Sequence, residues 1–297
     1  MQEVDMAKDY IIMSDSDSDL SHELAKEKNI PMVRMPYTLD DVELYDDNGA
    51  SGAEKTLFDR MRNGAKPFTS LLPVAVYLEY FEPILKESDL LFLAFSSQMS
   101  ATFLNVLEAQ KELQEKYPQR RFVVVDTMSI SAPQALLIME AHKLYEQGAS
   151  MDEVIQWVND NHKKAQAWFT VGDLAYLRRG GRISATSAIM GTMLDIKPIL
   201  TITKAGKLEA HSKVQGRKKA MKTLVEKTVE NIGESSDKSI IILHGDVREE
   251  AEMLKNQLKN RLGDLGEIRI QMIGPVIGAH AGPGTLAICF LGKERPI

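Results

Sequence analysis

Short apolar runs alternate with segments of helical spacing through the first half of the chain. The runs that are continuous, rather than alternating with polar residues, lie at 10–13, 90–95, 121–126 and, later, 239–246. Continuous apolar runs are typical of strands covered on both faces, as in parallel sheets. Helical spacing occurs at 73–88, 101–117, 131–148 and 150–165. This alternation predicts an α/β domain with a doubly wound sheet.

The pattern changes after residue 165. Segment 197–214 predicts two strands joined by a tight turn at Ala205-Gly206, which is a β-hairpin. A basic helix follows, and then strand, helix and two further strands of mixed direction. We therefore predict a two-domain α/β protein, with an N-terminal parallel-sheet α/β sandwich (1–165) and a smaller mixed-sheet α/β domain (166–297). The helix at 150–165, with Ser150 and Glu153 as a capping box, is the expected connector.

Composition excludes some functions. The chain has 297 residues, is 44% hydrophobic and carries a net charge of −6, so it lacks the basic surface of a nucleic-acid binder. No apolar stretch approaches the roughly 20 residues of a membrane span, and the N-terminus has no signal-peptide core, so we expect no stable membrane insertion. The single cysteine, Cys289, agrees with a cytoplasmic protein.

The stretch "SDSDSDL" near the start has the alternating acids of a metal or phosphoryl-transfer site. An EF-hand counted from Asp15 would need Gly at Leu20 and Glu at Lys26, and both positions fail. A D-x-D nucleophile fits Asp15 and Asp17 better, so a Mg²⁺-dependent phosphotransferase or phosphatase using Asp15 is an alternative. The other interpretations are a strand-to-helix turn, in which these acids cap the next helix, and a polar loop that faces a ligand.

Hydroxyl groups cluster at two further loops. Thr69 and Ser70 precede a proline-led helix, and Ser96, Ser97 and Ser100 follow a buried strand. Ligands of open α/β sheets bind at the carboxyl ends of the strands, so these loops predict a binding site. Ser100 stands at the expected N-cap of the next helix, where a hydroxyl and free N–H groups hold an anion or only cap the helix.

Two glycine-rich segments surround ionisable side chains. In "YLRRGGRIS", Gly180 and Gly181 allow a tight turn and close backbone approach beside Arg182, which suits a carboxylate, a phosphate or an ion pair at the domain junction. In "IGAHAGPG", His280 is expected in a loop before the last strand, as a functional group or as a satisfied core histidine. We find no zinc spacing and no phosphate-binding loop, so no metal or cofactor is expected.

Six motifs in order resemble the DegV family of bacterial fatty-acid-binding proteins, which serve fatty acid kinase. They are "SDSDSDL", "PFTS", "SSQMSAT", "YLRRGGRIS", "KPIL" and "IGAHAGPG", and the match spans about residues 10–292. The resemblance implies a non-enzymatic protein that holds one long-chain fatty acid between its two domains. It also implies that a separate kinase phosphorylates the bound carboxylate, for use in phospholipid synthesis.

The resemblance also implies the site residues. The carboxylate contacts of the family map onto Thr69 and onto Ser100 or Ser97, the arginine maps onto Arg182 and the histidine onto His280. Two positions depart from the family pattern, because Ala101 stands where glycine is usual and Gln215 where arginine is usual. A regulatory module that senses lipid is the remaining alternative.

Overall fold

The computed structural model describes residues 10–183, 195–233, 239–263 and 266–297. The strands are β1 (Tyr10–Asp15), β2 (Met32–Val33), β3 (Pro36–Leu39), β4 (Val42–Tyr45), β5 (Phe68–Thr69), β6 (Asp89–Ala94), β7 (Phe122–Asp126), β8 (Ala165–Thr170), β9 (Ile196–Ile202), β10 (Leu208–Gln215), β11 (Ile240–His244), β12 (Ile268–Met272) and β13 (Leu286–Leu291).

The helices of the described segments cover most of the predicted positions. They are α1 (His22–Glu27), α2 (Ala53–Arg62), α3 (Val74–Glu87), α4 (Thr102–Lys116), α5 (Ser131–Glu146), α6 (Met151–Asn161), α7 (Ala175–Arg179), α8 (Arg217–Asn231), α9 (Arg248–Leu262) and α10 (Pro275–Ala281). Within these segments, no helix has both the length and the apolar character needed to cross a bilayer.

The first sheet is parallel, with strand order β2-β1-β6-β7. Its apolar runs are continuous because helices cover both faces. Phe92 belongs to a cluster with side chains of α3 and α4, whereas its neighbours Leu91 and Leu93 pack with α5 and α6. The doubly wound sheet predicted from these runs is confirmed.

A small antiparallel sheet, with order β4-β3-β5, was not predicted. Its strands are two to four residues long, which is too short for a clear alternation of apolar and polar residues. The sheet holds one residue of interest, because Thr69 pairs with Tyr37 in the register of β3 and β5.

The second sheet is mixed, with order β10-β9-β8-β13-β11-β12. β9 and β10 form the predicted antiparallel hairpin, and β11 and β12 are parallel. Alternate residues separate its two faces: Trp168 and Ile242 pack with α8 and α9, whereas Phe169 and Leu243 face the first half of the chain. The fold class predicted from the sequence is thereby confirmed.

The predicted connector helix is shorter than expected. The capping box at Ser150 and Glu153 is present, but α6 ends at Asn161 and packs with α5 through Val154 and Val158. A single 3-10 turn then leads into β8 at Ala165, so the second sheet begins at the predicted boundary. The limits of the two domains stay a prediction.

A buried arginine near the C-terminus joins the two halves. Arg295 is fully buried, and its guanidinium donates to the carbonyls of Ala165, Met128 and Thr203 at 2.7–3.1 Å and to the Ser129 hydroxyl at 2.6 Å. It has no carboxylate partner among the described residues. The charge is therefore satisfied by neutral oxygens, and it ties the β7–α5 loop to β8 and to the β9–β10 turn.

We expect Arg295→Ala to lower the free energy of unfolding by about 3 kcal/mol, because it leaves buried carbonyl oxygens without donors. Urea denaturation followed by circular dichroism measures the loss. Arg248→Ala is the control, since Arg248 is exposed and forms an ion pair with Glu252 of its own helix. Equal effects of the two substitutions would contradict the assigned role of Arg295.

Candidate functional site

A largely apolar cavity of about 250 Å³ lies between the carboxyl ends of the parallel strands and one face of the second sheet. The second sheet contributes a wall formed by Ala167, Phe169, Ile202, Leu208, Leu243, Ala287 and Cys289. Loops that follow β6 and β7 contribute Phe95, Met99 and Ile130 from the opposite side. This is the edge at which open α/β sheets bind ligands.

Small side chains at the centre of the sheet leave this space open. Ala167 and Cys289 are directly opposite each other on β8 and β13. Ala287 lies two residues before Cys289 on β13 and therefore on the same face. Larger residues at these positions would fill the gap between the two layers. The sequence contains this signal, but without the strand register the small residues cannot be assigned to one wall.

Two polar residues of the cavity, Thr69 and His280, come from distant parts of the chain. The Thr69 hydroxyl lies 2.8 Å from Nε2 of His280, although the two residues are 211 positions apart. Ser100 and Arg182 line the same cavity. Four of the five residues predicted as ligand contacts therefore come together at one cavity.

His280 lies on a helix, and the expectation of a loop is wrong. Gly274 is the N-cap and Pro275 the first residue of α10, where proline has the required φ and needs no N–H partner. Gly282, with φ +79°, ends the helix directly after Ala281. The helix was not predicted because it has only seven residues and lies among glycines, which are typical of loops.

Burial keeps His280 uncharged. Desolvation, and secondarily the positive charges of Arg182 and Arg179, lower the pKa of His280 to about 4. Its imidazole is therefore neutral near pH 7, and one ring nitrogen donates while the other accepts. Gly180 packs so closely on this ring that a β-carbon there would overlap Nδ1, which confirms the predicted close approach for Gly180, whereas Gly181 has no neighbour among the described residues within 4 Å of where its β-carbon would be.

Arg182 follows the left-handed turn at Gly181, whose φ is +71°. Its guanidinium is half-buried and donates to the carbonyl of Gly180. Burial lowers the pKa of Arg182, and the negative charge of Asp17 opposes that shift. Arg182 supplies the cationic group of the cavity and also lines the adjoining surface depression.

Ser97 and Ser100, in the loop between β6 and α4, have different surroundings. Ser100 lines the cavity, and its Oγ accepts the N–H of Thr102 at 3.2 Å. The N-cap of α4 is Ala101, so the prediction that Ser100 is the N-cap is wrong by one residue. Ser97 lines the adjoining depression rather than the cavity, and its N–H donates to the Asp126 carboxylate.

The aspartates of "SDSDSDL" lie in or directly beside a buried 3-10 turn, Ser16–Ser18. Helix α1 is capped by Ser21, so the expectation that the acids cap it is wrong. Asp15 is 1% exposed, accepts hydrogen bonds from the Phe95 N–H and Gln134, and does not line the cavity. A nucleophile needs access to its substrate, so this burial disfavours phosphoryl transfer by Asp15.

Asp19 links the first half of the chain to the start of α10, and Asp46 lies beside the same point. Asp19 accepts the N–H of Gly274 at 2.8 Å and the hydroxyl of Ser131. Asp46 accepts the N–H of Asn48 at 2.9 Å. Burial raises the pKa of Asp19 to about 7 and, together with the charge of Asp19, raises that of Asp46 to about 8. Within the described residues, no three His, Cys, Asp or Glu side chains form a group suited to a metal ion.

These features define an α/β protein with an apolar cavity that is polar at one end. Residues 10–293 match the model of the DegV family, described as uncharacterised proteins, and this chain belongs to that family. A DegV domain-containing protein of Clostridium perfringens is 37% identical over 289 residues, which is 97% of this chain and 99% of the relative.

Solved structures of the family show the same fold. A DegV lipid-binding protein of Thermotoga maritima is 28% identical with a TM-score of 0.83, covering 96% of this chain and 99% of its own. A fatty-acid-binding DegV family protein of Streptococcus agalactiae is 27% identical with a TM-score of 0.83, covering 97% and 100%. A DegV family protein of Thermus thermophilus, described by its fatty acid binding, is 26% identical with a TM-score of 0.83, covering 95% and 99%.

The buried acids predict a pH dependence of stability. The pKa of Asp46 is raised from 3.8 to about 8 in the folded protein, so the folded state holds a proton that the unfolded state has released. Its contribution to stability is full below pH 3.8 and is lost as the pH rises through about 8. We expect Asp46→Asn to reduce the fall in the free energy of unfolding over this window.

The free energy of unfolding is measured by urea denaturation, for the unsubstituted protein and for Asp46→Asn, at about pH 5 and about pH 8. Asp160→Asn is the control, because Asp160 is exposed and accepts hydrogen bonds from Gln156 on its own helix. If Asp46→Asn kept the full pH dependence of the unsubstituted protein, the titration of Asp46 would not contribute to it.

Proposed function

We propose that this protein binds one long-chain fatty acid and presents its carboxylate to a separate fatty acid kinase, which forms the acyl phosphate. The observation that carries the proposal is the cavity itself, with apolar walls and the Thr69–His280 pair beside Ser100 and Arg182. The relatives described as lipid-binding or fatty-acid-binding share this fold over nearly the whole chain.

The acyl chain supplies the binding energy. About 16 carbons buried at roughly 0.8 kcal/mol per CH₂ contribute on the order of 10 kcal/mol before ordering costs. Phe169 and Leu243 present side chains from the second sheet, and Phe95 and Met99 present theirs from the first half of the chain. Such walls suit a methylene chain, which has no polar group to satisfy.

The carboxylate requires hydrogen bonds and a counter-charge once it leaves water. Thr69 and Ser100 supply hydroxyl groups. When neutral His280 donates its Nε2–H to the Thr69 oxygen, the Thr69 O–H is left to donate to the carboxylate. Arg182 supplies the positive charge. The chain as a whole is negative, at −6, so this local arrangement must attract the anion.

Presentation to a kinase requires that the carboxylate end be reachable from outside. Ser100 and Arg182 line both the cavity and a surface depression beside α4, so the polar end of the cavity adjoins solvent. Leu104 is 66% exposed at the edge of this depression. In this proposal the kinase binds ATP, this chain performs no catalysis, and both proteins act in the cytoplasm on the way to phospholipid synthesis.

The proposal is tested by identifying what the purified protein carries. We expect native mass spectrometry to show one bound fatty acid per chain, and extraction followed by mass spectrometry to identify it. Protein that is repeatedly empty and takes up neither oleate nor palmitate would overturn the proposal.

The two serines of one loop provide a matched pair of variants. We expect Ser100→Ala to weaken fatty acid binding about tenfold, because one hydrogen bond to the carboxylate is lost, and Ser97→Ala to leave binding nearly unchanged. Affinity is measured by titration with oleate, and acyl phosphate formation is measured with a fatty acid kinase and ATP. The reverse order of effects would move the carboxylate site to the adjoining depression.

A further inference from the structure

Several polar side chains of the cavity are not used by the proposed carboxylate site, and Asp17 is the acidic one among the described lining residues. Asp17 is 4% exposed and lines the cavity together with Met35 and Ser131. It is held there by the buried 3-10 turn at Ser16–Ser18, which begins where β1 ends. A carboxyl group is therefore built into a wall that is otherwise mostly hydrocarbon.

Asp17 differs from Asp15 and Asp19 because no side chain or backbone group of the described residues donates a hydrogen bond to its Oδ1. Its Oδ1 is buried without a hydrogen bond, and neither oxygen accepts a hydrogen bond from any described residue. Asp15 is satisfied by Gln134 and a backbone N–H, and Asp19 by Ser131 and Gly274. Arg182 acts on Asp17 through its charge, but no ion pair joins them in the described part of the chain.

An unpaired buried carboxyl group is costly, and a plain hydrocarbon chain beside it would leave the cost in place. Burial and the charges of Asp15, Asp46 and Asp19 raise the pKa of Asp17, which favours the protonated carboxylic acid. A carboxylic acid donates one hydrogen bond and accepts others, and a hydroxyl group does the same. A ligand hydroxyl is therefore the neutral group that fits best.

We propose that Asp17 forms a polar subsite inside the cavity that binds a hydroxyl group on the acyl chain, so that hydroxylated long-chain fatty acids are a ligand class of this protein. The inference rests on the proposed function, because the same cavity holds the chain. It adds a second polar anchor, distinct from the Thr69 and His280 pair.

The experiment compares octadecanoic acid with hydroxyoctadecanoic acids that carry the hydroxyl near the carboxylate, at mid-chain or near the methyl end. Each is titrated into delipidated protein by competition with a fluorescent fatty acid. We expect one positional isomer to bind about tenfold more tightly than octadecanoic acid, the effect of one buried hydrogen bond. Asp17→Leu should abolish this preference while octadecanoic acid still binds.

Two further variants distinguish a hydrogen bond made by Asp17 from a general effect of the buried acids. Asp17→Asn keeps a donor and an acceptor at the subsite and should retain most of the preference. Asp46→Asn removes another buried acid, whose Oδ2 also has no hydrogen bond within the described residues, but Asp46 does not line the cavity, so the preference should remain.

The outcomes also separate the two proposals. If octadecanoic acid binds and no hydroxylated isomer binds more tightly, the subsite is overturned and the proposed function stands. A preference that survives in Asp17→Leu would likewise overturn it. If no fatty acid of either kind binds the unsubstituted protein, the proposed function itself fails.

Discussion

The separation between the two sheet layers is the constraint on which the site depends. The second sheet faces the carboxyl ends of the parallel strands, and small side chains such as Ala167 and Cys289 leave the space between the two layers unfilled. Polar contacts elsewhere hold the layers at this distance. Arg295 ties three segments together, and Asp19 binds the Gly274 N–H at the start of α10. A close-packed interior would otherwise eliminate a void of this size.

The electrostatics of the cavity follow from burial more than from net charge. Desolvation keeps His280 neutral and raises the pKa values of the buried acids, so much of the potential charge around the cavity is suppressed. Arg182 lies at the polar end and also lines the adjoining depression. An anion bound there would meet neutral donors and one cation, in an interior where each hydrogen bond is stronger than in water.

Much of the architecture was predictable, and the parts that were not share a physical cause. The parallel sheet, the hairpin at β9 and β10 and the capping box at Ser150 follow from local patterns. The small sheet that carries Thr69 has strands too short for periodicity, and α10 was concealed by glycine. The cap of α1 was assigned to the acids, although Ser21, directly before the helix, supplies it.

Local patterns in the chain were enough to predict the fold class and the kinds of residue at the candidate site, because periodicity, turn residues and ordered motifs are local properties. Tertiary structure alone decided that Thr69 lies within hydrogen-bonding distance of His280, and that Ser100 rather than Ser97 lines the cavity. It also decided that Asp17 lines the cavity with no hydrogen bond to its Oδ1 from the described residues, whereas Asp15 is satisfied in the core. Those outcomes depend on which groups packing removes from water and which partners it brings within reach, and a linear pattern contains neither.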